Sequence, residues 1–147
     1  MRVMHRIVRT LLIFVLLAAA GFAAEDFAET KKKAEAGDAV AQLNLGHMYK
    51  EPNGVPRDYA EAVKWYRNAA EQGNVGAQNS LGWMYKDGLG VERDLVQAHV
   101  WWNIAAANGN EIAKIFLTNV EKEMTHEQQA EAMKLARELF AKLPKLR

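Results

Sequence analysis

The chain has 147 residues, with 19 Lys and Arg against 18 Asp and Glu, a formal net charge of +1, and no cysteine. This balance lacks the strong basic field with which nucleic-acid binders meet phosphates. The missing thiols exclude disulfides and a lipidated cysteine.

The first element is a leader. Arg2, Arg6 and Arg9 form a basic head, Leu11 to Ala20 form an uncharged apolar run, and small residues follow before the first acid, Glu25. That is the layout of a secretory signal peptide. Gly21 and Ala23 place small residues where cleavage after Ala23 needs them, so residues 1–23 are read as a signal peptide and the mature chain as periplasmic or secreted. The rival reading is a retained anchor, but the run is short for the roughly 20 apolar residues of a spanning helix. No stable membrane insertion is expected after cleavage. Removing the three arginines leaves 16 basic groups against 18 acidic ones, a mature charge near −2.

Residues 24–36 are expected to form an N-terminal capping helix, with Lys31, Lys32 and Lys33 turned to water because adjacent residues point in different directions around a helix. The chain then repeats itself 36 residues on. Gly37, Ala41, Leu45, Gly46, Tyr49, Gly54, Val55, Asp58, Ala62, Trp65, Ala69 and Ala70 recur as Gly73, Ala77, Leu81, Gly82, Tyr85, Gly90, Val91, Asp94, Ala98, Trp101, Ala105 and Ala106. A period of about 20 to 50 residues marks a solenoid, whose units bury their apolar faces only by stacking. Repeat units are assigned to residues 37–72 and 73–108, followed by a divergent third repeat and C-terminal cap at 109–147.

Each unit reads as two helices. Asp38 and Asn74 can cap a first helix, A1 over about 38–50 and A2 over about 74–86, whose stripes Ala41-Leu45-Met48-Tyr49 and Ala77-Leu81-Met84-Tyr85 mark one buried face. Gly46 and Gly82 inside these helices cost up to about 1 kcal/mol against alanine, which suggests that another helix backbone comes close there. Asp58 with Glu61, and Asp94 with Gln97, have capping-box spacing and open the second helices B1 and B2, which end at Gly73 and Gly109 in left-handed C-caps. Within the second unit Gly88 and Gly90 supply positive φ and Val91 tucks between the helices; the first unit has Pro52 instead of the earlier glycine, with Asn53-Gly54 left to turn the chain. In the last segment Ala113 and Leu117 keep the stripe, Thr118 and Glu121 replace Gly and Tyr, and Thr125-x2-Gln128 opens a closing helix, giving the order half-unit, A1-B1, A2-B2, A3-B3.

The pattern Ala-x3-Leu-Gly-x-Met-Tyr, then Gly-Val-x2-Asp-x3-Ala, then Trp-[Tyr/Trp]-x2-Ala-Ala-x2-Gly resembles the Sel1-like repeat, a relative of the tetratricopeptide repeat, over Gly37 to Gly109. The resemblance implies an all-α, right-handed αα-superhelix. It also implies the roles of exported relatives, some of which regulate envelope sensor kinases or contact host proteins. Certain disulfide-rich members bind or hydrolyse β-lactams, but their cysteines are missing here.

A catalytic constellation is not legible. The mature chain offers one serine, Ser80, and three histidines, His47, His99 and His126, on different helices or at their ends, and it carries no metal-binding motif. His99 is expected to be packed and His126 to start the last helix. No catalytic residue, metal or cofactor is assigned.

A binding surface is legible. In tetratricopeptide-like stacks the A helices line the concave side, and the positions outside the packing stripe are Val40, Leu43, His47, Lys50 and Glu51, then Gly76, Asn79, Trp83, Lys86 and Asp87, then Ile112, Ile115, Asn119, Lys122 and Glu123. From these, His47, Lys50, Asn79, Trp83, Lys86, Asn119 and Lys122 are assigned to binding of a protein or peptide. Lys50, Lys86 and Lys122 could form a ladder of cations, and Trp83 beside amide and ammonium groups resembles an interface hot spot. The competing reading is that Trp83 packs into the neighbouring unit and the lysines are solvated helix ends. The function classes left open are an envelope adaptor, a hydrolase of cell-wall-related small molecules, and a structural accessory of an envelope complex.

Overall fold

The structure, a computed structural model, describes residues 26–52 and 55–144. The expected signal peptide and the Asn53-Gly54 turn lie outside the described residues. Those residues form seven helices and no strand: α1 (residues 26–35), α2 (Ala39–Lys50), α3 (Tyr59–Glu71), α4 (Val75–Asp87), α5 (Leu95–Ala107), α6 (Glu111–Glu121) and α7 (His126–Lys142). Among them no helix is long and apolar enough to cross a membrane.

Each of α2 to α7 starts where a short polar side chain can satisfy orphan N–H groups. Asp38, Asp58, Asn74, Asp94, Asn110 and Thr125 accept from the backbone N–H three residues on. A complete capping box forms at Thr125, whose N–H meets Gln128 Oε1 at 2.9 Å while Gln128 N–H meets Thr125 Oγ1 at 3.2 Å. The boxes expected at Asp58 and Asp94 form only their aspartate half, for a physical reason. The N–H of Asp58 is already donated to the Tyr49 carbonyl at 2.8 Å, and that of Asp94 to Tyr85 at 2.9 Å. These two bonds close the two unit loops alike, although α2 ends in an extended residue, Glu51, and α4 in the left-handed Gly88. Gly37, Gly73 and Gly109 carry positive φ between successive helices, as a glycine C-cap requires.

Helix α2 packs on α3, α3 on α4, α4 on α5, and α5 on α6. The core is built from alanines facing rings: Ala62, Ala69, Ala70, Ala98 and Ala105 are fully buried, as is Tyr66, and Trp102 is almost fully so. The interior glycines receive rings, not a helix backbone. A Cβ on Gly46 would enter the Tyr66 ring, and one on Gly82 would enter the Trp102 indole. This notch recurs with the period and sets the spacing within each pair.

The end of the array departs from the repeat. A third A–B pair would place α7 on α6; instead the main packing of α7 is on α5. Thr118 stands where Gly46 and Gly82 make the notch, so α6 cannot take a ring in the same way. Helix α7 turns the small Ala132 and Ala136 to the core instead.

A polar clip repeats as well. Gln42 Nε2 donates to the Ala34 carbonyl at 3.0 Å and its Oε1 accepts from Gln72 at 2.7 Å; Gln78 donates to Ala70 at 3.2 Å and accepts from Asn108 at 3.1 Å. Each glutamine ties its unit to the end of the preceding helix and to its own second helix. The recurrence of Gln42 as Gln78 was the available signal, and sequence reasoning passed over it.

Candidate functional site

The non-stripe positions of α2, α4 and α6 form rows one period apart. Val40 and Ile112 flank Gly76 in the first row, and Leu43, Asn79 and Ile115 form the second. Val40, Ile112 and Ile115 are 61, 57 and 61% exposed, far from the burial of a core side chain. Leu43 covers Gly76 on the neighbouring helix. Asn79 is half-buried: its backbone carbonyl accepts from Trp102 Nε1 at 3.2 Å, and its buried Oδ1 has no hydrogen-bond partner among the described residues.

In the third row His47, Trp83 and Asn119 differ in kind and in burial. The His47 ring stands edge-on to Tyr66 at 5.3 Å, with Nδ1 3.0 Å from the Tyr66 hydroxyl. Burial, then the nearby Lys50 ammonium, push the His47 pKa down, with Glu51 opposing. Burial, then Glu51, push the Tyr66 hydroxyl up, so it stays protonated and donates to a neutral His47. Ser80 shares that hydroxyl. Trp83 is half-buried and adopts the packed alternative in part, with its ring edge-on to Trp102 at 5.5 Å and to Phe116 at 4.6 Å. Asn119 is exposed.

The lysine row is not a ladder of bare cations. Lys86 Nζ lies 3.6 Å from Asp87, 4.0 Å from Glu123 and 5.7 Å from the Trp83 ring centroid, and Arg93 also reaches Glu123 at 3.1 Å. Acids one residue after each lysine in the rows offset the charge. Lys122 is exposed and donates to Asn119 Oδ1 at 3.4 Å. Lys50 faces a cleft of about 250 Å³ between the first two units, lined also by Tyr66, Ser80, Trp83, Met84, Asp87 and Leu89. The structure therefore gathers Lys50, Trp83 and Ser80 around one opening, with His47 reaching it only through Tyr66, while Asn119 and Lys122 lie further along the same face.

Ser80 and His47 meet through Tyr66, an arrangement that spacing did not reveal. It is not a nucleophile–base pair, because the group beside Ser80 is a phenol held protonated. His99 is fully buried, with Nε2 3.1 Å from Glu121 Oε1, and His126 is the exposed first residue of α7.

Comparison with known proteins places this geometry. The Sel1 repeat family matches residues 39–74 and 75–110, the observed period in a frame two residues later than the one read from the glycines. A 57-residue stretch, 39% of this chain, is 40% identical to the secretory immunoglobulin A-binding protein EsiB of Escherichia coli O6:H1 strain CFT073. The crystal structure of c5321, a protective antigen of uropathogenic Escherichia coli with an SLR fold, matches over 80% of this chain with a TM-score of 0.78 and 38% identity. A Sel1 repeat protein from Oxalobacter formigenes matches over 62% with a TM-score of 0.61 and 38% identity. The chain spans 12% of EsiB, 25% of the c5321 chain and 26% of the Oxalobacter chain. Two consecutive Sel1 repeats, the stacked helix pairs and these structural neighbours establish that the chain belongs to the Sel1-repeat family.

Proposed function

We propose that this protein is an exported adaptor or regulator of the cell envelope that binds a protein or peptide segment along the face of α2, α4 and α6. His47, Lys50, Asn79, Trp83, Lys86, Asn119 and Lys122 are its proposed contact residues. The observation that carries the reading is the solvated apolar side chains Val40, Ile112 and Ile115, from two adjacent rows, together with the half-buried Trp83, on the face where the units differ most. Apolar anchors rimmed by amide and charged groups are what a non-obligate protein interface offers. A relative named for binding secretory immunoglobulin A supports a protein as the class of partner, over a small share of that relative's length. Export rests on the layout of residues 1–23, and residues 109–147 are proposed as a divergent third repeat that closes the array.

A hydrolase of β-lactam-like molecules stands second, because it needs a base at Ser80 where a protonated phenol sits. Sustained turnover by the purified protein, lost on replacing Ser80, would reverse that order. The adaptor reading is tested by photocrosslinking in the native envelope from the exposed Asn119, with a control probe at Lys32 on α1. A discrete adduct from Asn119 and none from Lys32 is expected. Adducts from neither position across growth conditions would remove the groove reading.

A further inference from the structure

At the 36-residue period, His47, Tyr66 and Ser80 of the first junction correspond to Trp83, Trp102 and Phe116 of the second. The first two members of each set pack alike. His47 and Tyr66 meet edge-on at 5.3 Å and 70°, Trp83 and Trp102 at 5.5 Å and 83°. The third member differs in size. Phe116 sets its ring 4.6 Å from Trp83 and 5.2 Å from Trp102, whereas Ser80 lines the 250 Å³ cleft together with Tyr66.

We propose that this cleft is a pocket for an aromatic side chain of the bound segment, which takes at the first junction the place that Phe116 fills at the second. The proposal deepens the groove reading and rests on it. A cavity of about 150 Å³ is enough to hold a benzene ring, so the space suffices. The half-buried Trp83 and Leu89 offer a ring for edge-on contact and apolar area, while the buried Tyr66 and Met84 line the cleft from the core side. Lys50 and Asp87 line the same cleft and supply a donor and an acceptor suited to the carbonyl and N–H of the segment that carries the ring.

The test uses N-acetyl-tyrosine amide and N-acetyl-phenylalanine amide as probes, N-acetyl-leucine amide as control, and backbone amide NMR shifts of the full chain as readout. The aromatic probes should move Tyr66, Ser80 and Met84, with the leucine amide at least about tenfold weaker. Ser80→Phe copies the third unit from within, and should retain the fold and lose the aromatic response by about tenfold or more. The converse variant, Phe116→Ser, should open a second response around Trp102, which keeps the test decisive if Ser80→Phe does not fold. Equal response to leucine amide, no saturable response to either aromatic probe, or an unchanged response in Ser80→Phe would overturn the pocket. Failure of the pocket and failure of the groove are distinguishable. An Asn119 crosslink that persists in Ser80→Phe removes the pocket alone, and probe binding without any crosslink removes the groove alone.

Discussion

Gly82→Ala tests the notch that holds each helix pair together. On an open helix face this change stabilises by about 1 kcal/mol. At Gly82 the new Cβ would fall among Nε1, Cδ1 and Cε2 of Trp102. That ring is 1% exposed, so it cannot swing into solvent. An extra methyl in a packed core costs roughly 1–3 kcal/mol. Displacing the indole also stretches its 3.2 Å bond to the Asn79 carbonyl, and a buried donor left unpaired costs about 1–3 kcal/mol. One ring movement relieves the clash and weakens the bond, so the two costs overlap, and the net loss is about 2–3 kcal/mol after the helix gain. For a domain of this size that corresponds to a fall of about 10 °C in midpoint. Thermal and urea unfolding of the full chain, followed by circular dichroism, measures it. A variant that melts at or above the wild-type temperature would refute the notch, since only an unobstructed glycine gains from alanine.

Three further perturbations bear on the same scaffold. Gln78→Ala removes a donor to the Ala70 carbonyl, which keeps the Gly73 N–H at 3.0 Å, and the acceptor of Asn108; two hydrogen bonds of about 1 kcal/mol each are lost, and urea unfolding should report about 2 kcal/mol. Thr125→Ala deletes the capping box of α7 and should cost about 1 kcal/mol, with faster hydrogen exchange at the Gln128 amide. His47 is held below its ordinary value of 6.5 by burial and by Lys50, so the unfolded chain takes up the proton first as pH falls. The stability it contributes is complete above pH 6.5 and is lost as pH drops through the lower folded value. His47→Gln should flatten that part of the melting-temperature profile, and an unchanged profile would count against a neutral His47 accepting from Tyr66.

The helices and their order were legible because caps, stripes and C-terminal glycines are local signals that repeat. The residue that fills a notch is not local. Gly46 and Tyr66 lie twenty positions apart in sequence, and only the paired helices show that the small residue receives a ring. The docking of α7 on α5 was hidden for a related reason: Thr118 was visible as a departure, but where a helix goes when its notch is blocked is decided by tertiary packing. On the A-helix face, the rows were readable from register. Burial of Trp83 was not, because it depends on Phe116 in the next unit.

Comparing units separates scaffold from site. Positions that recur, such as Gly46 and Gly82 or Gln42 and Gln78, make the ring notch and the polar clip. Stacking geometry demands them in both full units, and the array departs from the repeat where Thr118 and Lys114 replace them. Nothing in that geometry demands that His47 become Trp83 and then Asn119, or that Ser80 become Phe116. The exchange of Ser80 for Phe116 alters the open face while the rings beneath keep an edge-on arrangement, 5.3 Å and 70° for His47 and Tyr66 against 5.5 Å and 83° for Trp83 and Trp102. A repeat scaffold can therefore exchange the side chains of its open face while its core stays in register. Substitutions along that face should act on binding first, and substitutions in the notches and clips on stability first.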